Sequence, residues 1–174
     1  APDGLFHGHA ANVYLQILAA GRLDADAAAD LIVGELPTGV HGDEKTESNA
    51  LLGRATWPAK AGSDALGLRK IAEPVTNNRD RFAILAAGDL DGDGRDDLVS
   101  LTVRQPGDRP QTVRLGLHFS PATWSNRPSL TSPDVVIDVP SKAVPDAAAV
   151  ADVDGDGAGD LVVTMPGGIE ILRG

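Results

Sequence analysis

Five aspartates stand within residues 89–97, in the stretch GDLDGDGRDDLVS that runs from Gly88 to Ser100. Carboxylates at this density repel one another unless a cation neutralises them, so the chemistry they suggest is binding of a hard divalent ion through oxygen. With Asp89 as position 1, Asp91 and Asp93 fall at positions 3 and 5, Gly94 at 6, Arg95 at 7 and Asp97 at 9. That is the first half of a calcium loop, in which alternate carboxylates and the carbonyl at position 7 supply oxygens and a glycine makes the sharp turn. The second half departs from an EF-hand: position 12 is Ser100 where a bidentate Glu is needed. The flanks RFAILAA and DLVSLTV lack a helical stripe and read as strands. A strand-loop-strand metal site is expected, the plain alternative being an Asp/Gly turn whose side chains cap backbone N–H groups.

The pattern recurs. ADVDGDGAGDLVV, residues 151–163, places Asp152, Asp154, Asp156, Gly157, Ala158 and Asp160 at positions 1, 3, 5, 6, 7 and 9, with Val163 at position 12. A weaker copy, GRLDADAAADLIVGE from Gly21, keeps Asp24, Asp26 and Asp30 at positions 3, 5 and 9, but has Arg22 at position 1 and Ala27 at position 6. Exchanging a carboxylate for a guanidinium predicts that Arg22 pairs with these aspartates in place of an ion. Twelve of the 25 acidic residues lie in these three loops, so the net charge of −10 is local and points to metal binding. Scattered Lys and Arg argue against a nucleic-acid partner.

The elements that must position the loops follow the same beat. The copies start at 21, 88 and 151, spacings of 67 and 63 residues, and ATW recurs at 55–57 and 122–124. After each of the first two loops come further extended segments, NALLGRATW and GLRKIAEP, then QTVRLGLHF and PDVVIDVP. About four short strands per unit, joined by Gly, Pro, Asn and Asp turns, is the make-up of a propeller blade, with a sandwich as the alternative. The expectation is an all-β, partial β-propeller of about three four-stranded blades, one domain over 1–174, with units at roughly 10–77, 78–142 and 143–174. The last unit is incomplete, ending at GIEILRG on its third strand. A ring typically closes with about four to eight blades, so another chain, a further domain or a self-copy is expected to complete this one.

With 174 residues, 42% of them hydrophobic and 23% charged, the chain is ordinary globular material with room for a core. No apolar run approaches the roughly 20 residues of a spanning helix, so no membrane insertion is expected. Zero cysteines exclude disulfides, thiolate zinc sites and a cysteine nucleophile. The first residue, Ala1, fits a processed, exported chain as well as a trimmed one.

On AAGDLDGDGRDDLVSL and AVADVDGDGAGDLVVTMPGG, and more loosely on AAGRLDADAAADLIVGEL, the sequence resembles the FG-GAP (VCBS) repeat family, the blades of integrin alpha-subunit propellers and of many secreted bacterial propellers. The resemblance implies one calcium per intact loop. One site would use Asp89, Asp91, Asp93, the Arg95 carbonyl and Asp97, and the other Asp152, Asp154, Asp156, the Ala158 carbonyl and Asp160. It implies a secreted or cell-surface, non-enzymatic recognition or adhesion module that binds a protein or glycan partner. A lectin, or a fragment of a propeller enzyme acting on polysaccharide, are the other readings.

Trp57 and Trp124, in register within the two ATW copies, are either sugar-stacking platforms or packing between blades. Of the four histidines, His7 and His9 could share a zinc ion but lack a third ligand nearby; His41 falls in a polar insertion and His118 in a strand. No nucleophile motif or phosphate-cradling loop is visible.

Overall fold

The structure, a computed structural model, describes residues 5–7, 13–37, 47–54, 60–62, 67–74, 80–105, 111–120, 128–139 and 143–174. Trp57, Trp124, His9 and His41 lie outside these residues. The described residues are all-β, without a helix.

Three antiparallel sheets follow one another along the chain, and none closes on itself. Sheet 1 contains β2 (Val13–Gly21), β3 (Asp30–Pro37), β4 (Glu47–Leu51) and β6 (Arg69–Lys70), hydrogen-bonded in that order. Sheet 2 contains β7 (Arg81–Gly88), β8 (Asp97–Arg104), β9 (Thr112–His118) and β10 (Val135–Asp138). Sheet 3 has three strands, β11 (Ala147–Ala151), β12 (Asp160–Met165) and β13 (Gly168–Leu172). Each acidic loop joins the first two strands of its sheet, as the alternation of apolar flank and Asp-Gly turn requires. The register slips between Ile17 and Ala19 in β2 and again between Ile84 and Ala86 in β7, the same place in each strand. Such a bulge bends the strand and increases its twist.

The sequence did not announce a fourth, two-stranded parallel sheet, which pairs β1 (Leu5–His7) with β5 (Lys60–Gly62). Neither segment is long enough to show a period. The expected last strand of the first unit, GLRKIAEP, is reduced to the two residues of β6 and an isolated parallel bridge from Ala72 to Ser129.

The sheets are stacked through their first strands, β2 against β7 and β7 against β11. Two apolar layers result. Ala19, Leu23, Ile32, Ala50 and Ile71 of the first unit meet Ile84, Leu98 and Leu130 of the second. On the far side of sheet 2, Ala86, Leu90, Val99 and Leu101 meet Leu161 and Val163 of sheet 3. Sheet 2 is thus covered on both faces, which is why β8 is buried along nearly its whole length and reads as a near-continuous apolar run. The first strands carry small residues where the sheets come closest. A Cβ on Gly88 would run into the Val150 side chain.

Candidate metal centre

All three loops share a scaffold of Asx turns, in which a carboxylate accepts the N–H two residues on. Asp24 accepts from Asp26 at 3.0 Å, Asp91 from Asp93 at 3.1 Å and Asp154 from Asp156 at 3.3 Å. The next turn repeats it: Asp26 accepts from Ala28 at 2.7 Å, Asp93 from Arg95 at 2.8 Å and Asp156 from Ala158 at 2.9 Å. The two intact loops add a bond across the turn, from Gly94 N–H to Asp89 Oδ2 at 2.9 Å and from Gly157 N–H to Asp152 Oδ2 at 3.0 Å. Both loops turn through left-handed glycines, Gly92 and Gly94 in one, Gly155 and Gly157 in the other, at φ of 74°, 85°, 82° and 98°.

This geometry converges the side chains. Asp89, Asp91 and Asp97 each place a carboxylate oxygen within 4.8 Å of the others, and so do Asp152, Asp154 and Asp156. Asp93 is turned aside into an ion pair with Arg95, whose Nε also donates to the Ser120 carbonyl at 3.1 Å. Arg173 reaches Asp154 at 3.0 Å from the end of β13.

Among the described residues two buried side-chain oxygens lack a hydrogen-bond partner, Ser120 Oγ and, within an acidic loop, Asp89 Oδ1. A buried carboxylate oxygen without a partner is costly, and Asp89 is one of three converging carboxylates, an all-oxygen donor set suited to a hard cation.

The position-9 aspartates do a second job that their spacing did not reveal. Asp97 is 1% exposed; its Oδ2 accepts the Leu90 N–H at 3.0 Å and its Oδ1 the Ser120 N–H at 2.8 Å. Asp30 takes Leu23 and Gly53 N–H groups at 2.8 and 2.7 Å, and Asp160 takes Val153 and Gly174 at 2.9 and 3.2 Å. Each is a bracket that ties the start of its loop to the end of the third strand. Burial pushes the Asp97 carboxyl up to about 6 against the pull of its two N–H donors, and raises Asp30 in the same way. Asp160 is held below the usual carboxylate range, chiefly by the Val153 N–H.

The expectation for Arg22 is not met. Among the described residues no ion pair joins its guanidinium to Asp24, Asp26 or Asp30, and these three do not form a converging group. Its main chain is used instead. The Arg22 N–H donates to Asp96 Oδ2 at 2.6 Å, and the Arg22 carbonyl accepts the Asp96 N–H at 2.7 Å. Without a position-1 carboxylate, the first loop has no bond across its turn of the kind Gly94 and Gly157 make. Its shape comes from the Asx turns and the Asp30 bracket.

Sequence reasoning also passed over a cross-strand pair. Ser100, at position 12, and His118 are both buried, with Ser100 Oγ 2.9 Å from His118 Nε2. The hydroxyl is sealed inside sheet 2 and makes a structural contact. Burial pushes the imidazole down to about 4 against the opposing charge of Asp134. A histidine whose folded value lies below its unfolded one contributes its stability above about pH 6.5 and loses it as pH falls toward 4. Asp97, raised, works the other way across much of that window. The His118 effect is therefore read as a difference. From pH 7 to 4, urea unfolding of wild type and His118→Gln should converge by about 3 kcal/mol, at roughly 1.4 kcal/mol per pH unit; a constant gap would refute it.

Compared with known proteins, the chain matches no family model, no curated protein and no solved structure. No helix among the described residues is long and apolar enough to cross a membrane.

Proposed function

We propose that the chain is a calcium-braced segment of a β-propeller, acting outside the cell as a non-enzymatic recognition or adhesion module for a protein or glycan partner. The observation that carries the metal is the unpartnered Asp89 Oδ1 among Asp89, Asp91 and Asp97. Calcium at this point supplies the positive charge that three neighbouring carboxylates call for. Asp152, Asp154 and Asp156 are the donor set of a second site. The sheets stacked through their first strands, each with an acidic loop after that strand, support the reading as blades.

In this reading the ion is structural. It holds the loop that links the first two strands of a blade, and recognition falls to the variable connections between strands. Sites of the extracellular class bind with Kd of about 10⁻⁴ to 10⁻³ M, so each adds about 1 kcal/mol at millimolar calcium. Isothermal titration should give two sites per chain, and Tm should rise on adding calcium and fall back with EGTA. Asp89→Asn should remove one site and leave the other. Unchanged Tm in EGTA together with no heat of binding would defeat the proposal.

A further inference from the structure

Rows at matched places cross the three sheets. In sheet 1, Ala19, Ile32 and Ala50 are paired side by side and buried against sheet 2. In sheet 2, Ala86, Val99 and Leu117 form the matching row and are packed into the layer with sheet 3. In sheet 3 the row is Ala149, Val162 and Ile171, and it faces outward. Ile171 is 54% exposed and its neighbour on that face, Ile169, 66%.

The loops tell the same story. The position-2 side chain is buried in the first two loops, Leu23 and Leu90 by the next sheet, whereas Val153 is 52% exposed. Each existing joint also carries one main-chain bond of fixed kind, from the position-8 N–H of the later loop to the position-1 carbonyl of the earlier one. Asp96 donates to Arg22 at 2.7 Å and Gly159 to Asp89 at 3.0 Å. The next acceptor in this series is the Asp152 carbonyl, and no donor among the described residues meets it.

The complementary half of such a joint lies at the other end of the chain. The position-8 donor of the first loop is the Ala29 N–H, and the face of sheet 1 turned away from sheet 2 is open along its first strand, at Ala20 and the 63% exposed Ile17, while Val33 and Leu51 on that face are already buried and Leu31 packs beside Leu51 and Leu68. Ala20 occupies in sheet 1 the place Val150 has in sheet 3. Val150 leaves room only for the glycine at 88, while Ala151, one methyl larger in the equivalent place, suits a smaller partner.

We infer that the outer face of sheet 3 docks on the first sheet of a second copy of this chain, head to tail, with Ala29 N–H of one copy donating to the Asp152 carbonyl of the other. Made twice, this contact joins two copies into a ring of six sheets, within the span of about four to eight that propellers close with. The inference rests on the propeller reading above.

The test is the solution mass of the 174-residue chain by light scattering, in millimolar calcium and in EGTA. In calcium the expected mass is twice the 17.9 kDa of one chain. Val153→Arg and Val162→Arg on sheet 3, and separately Ile17→Arg on sheet 1, should each yield monomers with wild-type circular dichroism. A wild-type monomer, a mass of three or more copies, or an Ile17→Arg variant that dimerises like wild type would overturn it, the last by showing sheet 3 pairing with itself. A monomer whose Tm still rises with calcium would overturn the ring alone and leave the metal sites standing.

Discussion

Replacing Asp97 by alanine is expected to destabilise the fold by about 2–6 kcal/mol in calcium-free buffer, because it leaves the buried Leu90 and Ser120 N–H groups without an acceptor and each orphan costs about 1–3 kcal/mol. Burying the carboxylate has its own cost, visible in the raised Asp97 value, so the lower half of that range is the better target. Asp97→Asn should recover part of the loss, since one carbonyl oxygen survives while the amide faces the other N–H. Asp30→Ala should behave like Asp97→Ala, because both its oxygens are used in the same way. Urea unfolding in EGTA is the measurement. If Asp97→Ala matched wild type without calcium but fell behind with it, Asp97 would be a ligand only and the bracket would carry no stability.

That double use of one residue marks where the sequence was legible and where it was not. Alternate aspartates between apolar flanks predict a strand-loop-strand acidic site, and the loops lie between the paired strands as read. Position 9 looked like one more carboxylate of the same kind. Its distinguishing signal lay elsewhere: Gly53 and Ser120, which donate to Asp30 and Asp97, each follow their aspartate by 23 residues. Arg22 misled because charge counting addresses side chains, while the contact that forms is with the main chain and Asp96. For the same reason the joint between sheets left little trace. A main-chain donor and acceptor place no demand on residue type, except where a side chain would not fit. The parallel pairing of β1 with β5 lay beyond periodicity, being three residues against three.

Gly159, like Gly88, is a place where the joint does dictate a residue, and it yields the second large effect. A Cβ there would collide with the Asp89 carbonyl oxygen and come within 2.8 Å of Val150 Cγ1. The first obstacle is backbone and the second a short branched side chain, so neither can swing away. Sheet 3 must therefore move off sheet 2 locally, breaking the 3.0 Å bond from Gly159 to Asp89 and loosening the layer that holds Leu161 and Val163. Overpacking of this kind costs about 1–3 kcal/mol and the lost hydrogen bond about 1 kcal/mol more. Because sheet 3 has three strands and one covered face, the damage should be regional. In Gly159→Ala, amide hydrogen exchange should quicken across β11, β12 and β13 and at Leu90, while β3 and β4 keep wild-type protection. The loop's carboxylates are untouched by the change, yet the Asp89 carbonyl belongs to the loop that carries the unpartnered oxygen, so calcium affinity at Asp89, Asp91 and Asp97 should fall as well. Wild-type exchange throughout sheet 3 would mean that the two sheets are held by their side chains alone.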